Sequence, residues 1–519
     1  MTGLQRRGAP ATLALAFLWL AFTAWLRPLA LPDEGRYVGV AWEMVRSGEW
    51  LTPTLNGLPY FHKPPLFYWI DATVLSLVGN QAWAGRVAPW LGACLAAAAC
   101  HLFGSRRGGE PLARAWLLVF VTMPLVFMSA QYANLDMLVA GCITASILAF
   151  AHAAMLPPQD AGRRKALLAG YVATALGVLA KGLIGIVLPG LVLVVWLLLS
   201  RRPMQILRLL WWPGLLVFLV LTAPWFLVMR ERFPEFLHYF FVVQHFSRYT
   251  EQGFNNARPF WFFPAVLALL ALPWTAWLVR RAPRTDALPR PSPDASQVRL
   301  LMWVWLAAIV GFFSLPASKL VGYVLPAVPP LAYLIADRWL ALREAGRAGR
   351  LARSTGPVAA ALCVIVAVGA AVVPQKKSTR PIATALAPHA TEPIAFVETY
   401  YFDLPFYARL RRPVPVIERW NDTSLTRGDN WRRELLDAAE FTGGKTSPLL
   451  LPSAFQQPNC PGAHSWVVAP EDAMPRYPLL AGARRVATSG PNVLWEVRDW
   501  VPQPSDCAGT PSANSARTS

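Results

Sequence analysis

Charged residues are scarce in this sequence. Asp, Glu, Lys and Arg make up 15% of its 519 residues, hydrophobic residues make up 55%, and the mean hydropathy is +0.37. A soluble domain carries roughly a quarter charged residues, so the composition excludes an ordinary soluble protein and indicates a chain that lies in lipid. The sequence also lacks an internal repeat, which a transporter built from two related halves would show.

Acidic residues are the scarcer charge type, 29 against 48 Lys and Arg, which gives a net charge of +19. The basic residues lie in short clusters between apolar stretches, which is typical of cytoplasmic loops and not of a nucleic-acid surface. The sequence therefore predicts membrane lipids as partners and no nucleic acid.

Cysteine is rare as well, with six residues. Cys94, Cys100, Cys142 and Cys363 fall inside apolar segments, whereas Cys460 and Cys507 lie in the polar C-terminal region. A Cys460–Cys507 disulfide is permitted if that region lies outside the cytoplasm, but the sequence does not decide whether it forms.

Eleven apolar stretches approach the roughly 20 residues that a membrane-spanning helix needs. The first follows Arg6 and Arg7 and meets Pro-Asp-Glu instead of a small-residue cleavage site, so we interpret it as a retained signal anchor. The stretches lie near residues 10–30, 83–103, 112–129, 134–156, 166–181, 182–200, 207–229, 259–279, 299–317, 320–337 and 357–374.

Alternate loops between these stretches are basic, as the positive-inside rule requires of cytoplasmic loops. Examples are the clusters at residues 163–165 and 280–290. The pattern predicts a multi-pass inner-membrane protein with a cytoplasmic N-terminus and a periplasmic region after about residue 375. The opposite, periplasmic loops are aromatic, and two segments at helical spacing, Tyr37–Arg46 and Phe236–Tyr249, predict interfacial helices.

The composition divides the chain into three regions. Residues 1–375 form the predicted α-helical membrane domain, and residues 376–502 lose the long apolar runs. Helix-compatible stretches such as Phe402–Leu410 separate short apolar runs there, which predicts a small soluble α/β domain. The runs are Ile394–Val397, Val414–Ile417, Trp466–Ala469 and Val493–Val497. Residues 503–519 are rich in Ser, Thr, Ala and Pro and are predicted to be disordered.

Polar residues gather in the predicted periplasmic loops. Asp33 and Glu34 follow the first apolar stretch; Asp33 is either an N-cap or a general base that faces a lipid headgroup. Lys63 lies among aromatic residues and is either a snorkelling cation or a phosphate partner. The remaining outer turns contribute Asp136, Lys181, His245, Arg248, Lys319 and Tyr323.

Each of these residues has a structural alternative, namely capping, snorkelling or an interfacial hydrogen bond. Ionisable groups at a membrane boundary are nevertheless costly and usually face a polar cavity. One anionic pocket would explain Lys63, Lys181, Arg248 and Lys319 as phosphate partners, with Asp33 and Asp136 near the sugar and the acceptor. A lipid transporter or flippase and a non-catalytic envelope protein are the rival interpretations from other classes.

The motif Asp33-Glu-Gly-Arg-Tyr37, followed by Leu55-Asn-Gly-Leu-Pro-Tyr-Phe-His-Lys-Pro-Pro-Leu66, resembles the first outer loop of the bacterial aminoarabinose lipid A transferases. These are GT-C membrane glycosyltransferases, related to protein O-mannosyltransferases. The likeness continues through Asp136, Thr174–Gly182, His245 and Lys319–Pro326 and so covers most of residues 10–375.

The resemblance implies a GT-C fold and the transfer of a sugar, such as 4-amino-4-deoxy-L-arabinose, from an undecaprenyl-phosphate (polyprenyl-phosphate) donor to lipid A or another periplasmic acceptor. It implies that Asp33 is the essential carboxylate and Asp136 the second one. The carrier-phosphate pocket would be lined by Arg36, Tyr37, Tyr60, Lys63, Lys181, Arg248 and Tyr323, with Glu34 and Lys319 beside it.

The sequence departs from this family at position 62, where the aminoarabinose transferases usually have Glu and this chain has His62. In the family, that Glu and a later His are linked to a metal site. His62 and His245 are candidate ligands for a divalent metal, Zn²⁺ or Mg²⁺, but two ligands do not define a site. The departure also leaves the donor sugar open, and a protein or polysaccharide glycosyltransferase is the alternative within the enzyme class.

Overall fold

The chain separates into two units in a computed structural model. The first contains Met1–Arg27, His62–Ile70 and Arg86–Val373; the second contains Pro28–Phe61, Asp71–Gly85 and Pro374–Ser519. The structure describes residues 3–247, 256–280, 293–346, 349–372, 378–425, 430–442 and 447–509.

The first unit is helical. Its α-helices are α1 (Gly3–Ala21), α4 (Val87–Arg107), α5 (Gly109–Val121), α6 (Pro124–Ala130), α7 (Leu135–Ala154), α8 (Ala161–Lys181), α9 (Ile184–Leu199), α10 (Met204–Leu209), α11 (Trp212–Arg232), α12 (Phe262–Leu270), α13 (Pro293–Ser314), α14 (Val328–Glu344) and α15 (Leu351–Val372). A π-helix covers His238–Ser247, and 3-10 helices cover Ala84–Arg86, Trp274–Trp277 and Val321–Ala327. The helix α3 (Leu66–Val78) has residues in both units.

Five helices within the described ranges are long and apolar enough to cross a membrane, or six if α5 and α6, which bend by 68°, form one span. The five are Ala84–Arg107, Leu135–Ala154, Trp212–Arg232, Pro293–Ser314 and Leu351–Val372. The α-helical membrane fold is therefore confirmed, whereas the count of eleven spans stays a prediction.

Glycines allow these helices to pack closely. A Cβ atom at Gly141 on α7 would collide with the backbone of Gly92 on α4, so only glycine permits this approach. Small residues at helix contacts are the usual device in lipid, where burial of apolar surface drives little association. Gly182 ends α8 with φ +87°, a backbone conformation that favours glycine.

The N-terminal part of the second unit is the helix α2 (Asp33–Ser47) and a hairpin of β1 (Thr54–Leu55) and β2 (Leu58–Pro59). The buried carboxylate of Glu43 on α2 accepts hydrogen bonds from Thr54, Asn56 and Gly57. The side chain of Asn56 exchanges two hydrogen bonds of 2.8 Å with the backbone of Val414. These contacts explain why this part of the loop belongs to the same unit as the C-terminal region.

The C-terminal region forms a six-stranded mixed sheet of order β5-β4-β3-β6-β8-β7. Its strands are β3 (Ile394–Val397), β4 (Val416–Ile417), β5 (Leu449–Leu450), β6 (His464–Pro470), β7 (Arg484–Ser489) and β8 (Asn492–Arg498). The strands β3 to β6 pair in parallel, and β3 is buried along its whole length, as a central parallel strand should be. The predicted α/β class is confirmed.

Short helices accompany the sheet, namely α16 (Arg380–Leu386), α17 (Leu404–Tyr407), α18 (Trp431–Glu440) and α19 (Pro478–Ala481), with 3-10 helices at Ala387–His389, Pro452–Phe455, Glu471–Arg476 and Pro504–Gly509. Cys460 and Cys507 form a disulfide with a Cα–Cα distance of 5.8 Å. The 3-10 helix Pro504–Gly509 lies inside the segment that the sequence predicts to be disordered; residues 510–519 are outside the described ranges, and disorder there stays a prediction.

Candidate functional site

The first candidate cluster, which we call the membrane-unit cluster, consists of Asp136, Lys181, Gly322 and Tyr323. Asp136 is the second residue of α7, and Asn134 caps that helix by accepting a 2.9 Å hydrogen bond from the Asp136 amide. Because Asn134 supplies the cap, the carboxylate of Asp136 is available for another contact.

That contact is an ion pair with Lys181, the last residue of α8. The helices α7 and α8 run antiparallel, since Ser146 meets Thr174 and Phe150 meets Tyr171 on the way. The start of α7 and the end of α8 therefore lie together, at the opposite end of α8 from the basic residues 163–165. The pair is largely buried, with Lys181 14% and Asp136 10% exposed.

The segment that follows Lys319 completes the membrane-unit cluster. The Lys181 Nζ atom lies 4.7 Å from the centroid of the Tyr323 ring, a cation–π geometry. A Cβ atom at Gly322 would collide with the Asp136 carboxylate, so the carboxylate fills the space that glycine leaves. Three sequence-predicted residues, Asp136, Lys181 and Tyr323, are thus in contact.

Lys319 has a different environment. Its side chain is 3% exposed, and its Nζ atom donates hydrogen bonds to the backbone carbonyls of Pro316 and Arg258. The Lys319 amide also donates to the Asn256 carbonyl over 3.1 Å. These bonds hold two chain segments together, and the predicted contact of Lys319 with a phosphate stays a prediction.

The remaining candidates of the first unit lie at the loop before α3 and on the π-helix. His62 is buried, and its ring centroid lies 6.0 Å from that of Tyr239; Lys63 is half-buried. The His245 side chain and Arg248 lie outside the described residues. Across the residues that the structure describes, no three His, Cys, Asp or Glu side chains form a group that could hold a metal ion.

The second candidate cluster, which we call the loop cluster, consists of Asp33, Arg36 and Glu434. The helix α2 begins at Asp33, and Pro32 occupies its N-cap position without a side-chain capping hydrogen bond. Asp33 is therefore the first helical residue and not the N-cap. Its Oδ1 atom lies 4.0 Å from Arg36 Nη1, and its side chain is 37% exposed.

Arg36 is the centre of the loop cluster. Its Nη1 atom lies 3.0 Å from Glu434 Oε1, and its guanidinium lies over the Phe402 ring at 5.1 Å. Burial alone would lower the pKa of Arg36, but the negative charge of Glu434 raises it well above its ordinary value. Arg36 is therefore held as a cation in a largely buried place.

Glu34, Tyr37 and Tyr60 are buried in the same unit. The Glu34 Oε2 atom accepts a 2.7 Å hydrogen bond from the Ala30 amide, which fixes the chain as it enters α2. The two phenols lie close enough to Arg36 to influence its pKa. Glu34 therefore supports the start of α2, and the two tyrosines lie near the Arg36 guanidinium.

Sequence reasoning missed Glu434. It is the fourth residue of α18, whose start is capped by Asn430 through hydrogen bonds from the amides of Arg432 and Arg433. The sequence carries a signal for the cap and the helix, since Asn precedes Trp-Arg-Arg-Glu, but no local pattern relates position 434 to position 36. Only the fold supplies that pairing.

Comparison with known proteins finds similarity to glycosyltransferases. The family described as dolichyl-phosphate-mannose-protein mannosyltransferase matches residues 62–227. The undecaprenyl phosphate-alpha-4-amino-4-deoxy-L-arabinose arabinosyl transferase of Shewanella sediminis is 34% identical over 60% of this chain and 56% of its own length. That of Erwinia tasmaniensis is 32% identical over 66% of this chain and 62% of its own length. The chain therefore spans about three fifths of these curated relatives.

A solved structure extends the likeness to nearly the whole chain. The crystal structure of ArnT from Cupriavidus metallidurans bound to undecaprenyl phosphate is 26% identical, with a TM-score of 0.77, and the match covers 96% of this chain and 98% of that one. The same protein in the apo state matches with a TM-score of 0.74 at 25% identity. The chain thus shares the fold of this GT-C protein over nearly its whole length, and the similarity to bacterial aminoarabinose transferases that the sequence motifs indicate is confirmed.

Proposed function

We propose that the protein is an integral membrane glycosyltransferase that moves a sugar from an undecaprenyl-phosphate carrier to a periplasmic acceptor such as lipid A. The observation that carries this proposal is the near-complete match to a relative that binds undecaprenyl phosphate. The arabinosyl transferases among the curated relatives support 4-amino-4-deoxy-L-arabinose as the sugar.

The proposed reaction breaks the bond between the sugar C1 atom and the carrier phosphate oxygen and forms a bond from C1 to an acceptor oxygen. The leaving carrier keeps the electron pair as polyprenyl phosphate, so negative charge grows on its phosphate. Fixed cations aimed at that charge stabilise the transition state. We propose Lys181, at the end of α8, for this role, with Lys63 and Arg248 as further phosphate partners. Arg36, Tyr37, Tyr60 and Tyr323 remain proposed substrate-binding residues.

Asp33 is the proposed catalytic carboxylate. It is part-exposed at the start of α2, whereas Asp136 is committed to Lys181. If the acceptor is a hydroxyl, Asp33 receives its proton as a general base. If the acceptor is a lipid A phosphate, which is already ionised, no proton moves and Asp33 orients the sugar or balances charge.

A divalent metal, Zn²⁺ or Mg²⁺, is the candidate cofactor. His62 and His245 are the proposed ligands if one binds, and a third protein ligand would be needed for a typical zinc site. The described residues do not supply that third ligand around His62, so no step is assigned to a metal.

We also propose that the N-terminus is cytoplasmic and that the second unit is periplasmic. Residues 163–165 at the start of α8 are basic, and Asp136 and Lys181 lie at the opposite ends of α7 and α8. A membrane-impermeant maleimide should label a cysteine at position 63 in spheroplasts and a cysteine at position 164 only after lysis. The reverse pattern would contradict the orientation.

A protein or polysaccharide glycosyltransferase is the second candidate, because the mannosyltransferase family matches residues 62–227. Mass spectrometry of envelope lipids and glycoproteins from cells with and without the protein separates the two. The proposal predicts a lipid A species that gains the mass of one sugar only when the protein is present. An unchanged lipid A profile with a changed glycoprotein or polysaccharide would favour the second candidate.

A further inference from the structure

A cavity of about 720 Å³ opens between α4, α7 and α8 in the first unit. This volume falls in the range of about 300–1,000 Å³ that ligand pockets occupy. Its walls come from Leu95–Arg106 on α4, Ala145–His152 on α7 and Lys165–Leu176 on α8. All of these residues lie within the described ranges.

Small side chains create the cavity. Ala98, Ala99, Ala145, Ala149 and Ala169 line it, so the three helices meet without filling the space between their faces. Leu102 at its edge is 48% exposed. Since α4 and α7 are both candidate membrane spans, an apolar channel of this kind suits an acyl chain.

The mouth of the cavity is cationic. Arg106, near the end of α4, and Lys165, near the start of α8, line it and make no hydrogen bond or ion pair with any residue that the structure describes. The one carboxylate at the mouth within the described ranges, Asp160, caps α8 by accepting a 2.7 Å hydrogen bond from the Gly162 amide. The imidazole of His152 contacts Arg107 Nη2 at 3.0 Å. The two side chains with free charge at this mouth are therefore both positive.

We propose that this cavity binds an anionic phospholipid, with an acyl chain in the apolar channel and the headgroup phosphate at Arg106 and Lys165. Basic pockets between membrane helices on the cytoplasmic side recognise such lipids, and the proposed topology places this mouth there. The site is distinct from the proposed carrier-phosphate pocket: Lys165 and Lys181 are sixteen residues apart on α8, about 24 Å along the helix axis.

The test is native mass spectrometry of the purified full chain in mixed micelles with phosphatidylglycerol, phosphatidylethanolamine or phosphatidylcholine of identical acyl chains. The wild type should retain phosphatidylglycerol about tenfold more strongly than either zwitterionic lipid, which corresponds to about 1.4 kcal/mol. The double variant R106Q/K165Q should lose this preference while still binding some lipid of every type.

A matched control removes two cations from the same end of the unit but outside the cavity. The variant R164Q/R202Q changes two exposed arginines that do not line it and should keep the preference. The variant A149W fills the channel without changing charge and should reduce retention of all three lipids. Equal retention of the three lipids by the wild type would overturn the proposal, as would an equal loss of preference in the two double variants or unchanged retention in A149W.

Discussion

The membrane-unit cluster and the loop cluster both pair a carboxylate with a cation, but the aspartates of the two clusters differ in their ion-pair distance and their exposure. In the membrane-unit cluster, Asp136 and Lys181 are partners in one largely buried pair, and Gly322 makes room for the carboxylate. In the loop cluster, Arg36 is paired with Glu434 at 3.0 Å, and Asp33 lies 4.0 Å away and more than a third exposed.

This difference assigns different tasks to the two aspartates. Asp136 holds a lysine in place and has its charge balanced, so its loss should disturb structure and chemistry together. Asp33 is more than a third exposed at the start of α2, whereas Asp136 is enclosed, so a substitution at Asp33 should disturb the packing less. The comparison predicts that stability and activity separate at Asp33 and do not separate at Asp136.

The largest expected effect is that of Asp33→Asn. Removing a general base or charge-balancing carboxylate should reduce transfer by about a hundredfold or more, with unchanged expression and melting temperature because the side chain is part-exposed. Transfer is measured on purified protein with a polyprenyl-phosphate sugar donor. A D33N enzyme that works at the wild-type rate would refute the assignment.

Gly322→Ala tests the packing of the membrane-unit cluster. The new Cβ atom would collide with the Asp136 carboxylate, so both the stability and the transfer rate should fall, the former by an amount typical of overpacking, about 1–3 kcal/mol. Gly311→Ala is the control, since a Cβ atom added at Gly311 on α13 would meet nothing within 4 Å. Thermal unfolding and transfer assays compare the two variants. Equal effects of the two substitutions would show that the close contact at Gly322 is unimportant.

The ion pair itself is tested by a double-mutant cycle with Lys181→Met and Asp136→Asn. Each single variant leaves a largely buried group without its partner and should lose up to about 3–5 kcal/mol of stability, whereas the double variant should be more stable than the sum of the single losses predicts. Thermal unfolding in detergent measures the cycle. Additive losses would mean that the two side chains do not interact.

The smallest expected effect on transfer is that of Glu434→Gln in the loop cluster. It removes a charge-assisted hydrogen bond to Arg36 and should cost about 1.5–3 kcal/mol, with a larger change in KM than in kcat if Arg36 positions the donor. Arg433→Gln, one residue earlier, breaks a part-exposed pair with Asp437 and should cost less than about 1 kcal/mol. A Glu434 variant indistinguishable from this control would show that the pair with Arg36 is unimportant.

Much of the fold could be predicted from the sequence because lipid and sheet formation leave strong patterns. The apolar stretches predict α-helices, and β3, β4, β6 and β8 coincide with the apolar runs of the C-terminal region. The edge strand β7 is not predicted because its residues are exposed or half-buried and form no continuous apolar run. The edge strand β5 is not predicted because its apolar run, Leu449–Leu451, is only three residues long.

The sequence predicts several residues of the candidate site but not the contacts among them. Helix ends are readable, so Asp136 and Lys181 could be placed near one membrane boundary, and the structure brings them into contact. The pairing of Arg36 with Glu434 could not be predicted, because it depends on the grouping of residues 28–61 with the C-terminal region through contacts such as Asn56 to Val414. The periodicity of apolar residues predicts which face of a helix is buried, but it does not predict which distant residue contacts that face.

The central claim is that this chain breaks the bond between a sugar and its polyprenyl-phosphate carrier. The direct measurement is reconstitution of the purified protein in liposomes with an isotope-labelled polyprenyl-phosphate sugar and lipid A, followed by mass spectrometry of both lipids. We expect free polyprenyl phosphate and sugar-modified lipid A in equal amounts, and neither with Asp33→Asn. Intact donor that has only moved between leaflets would contradict the account and indicate a lipid transporter.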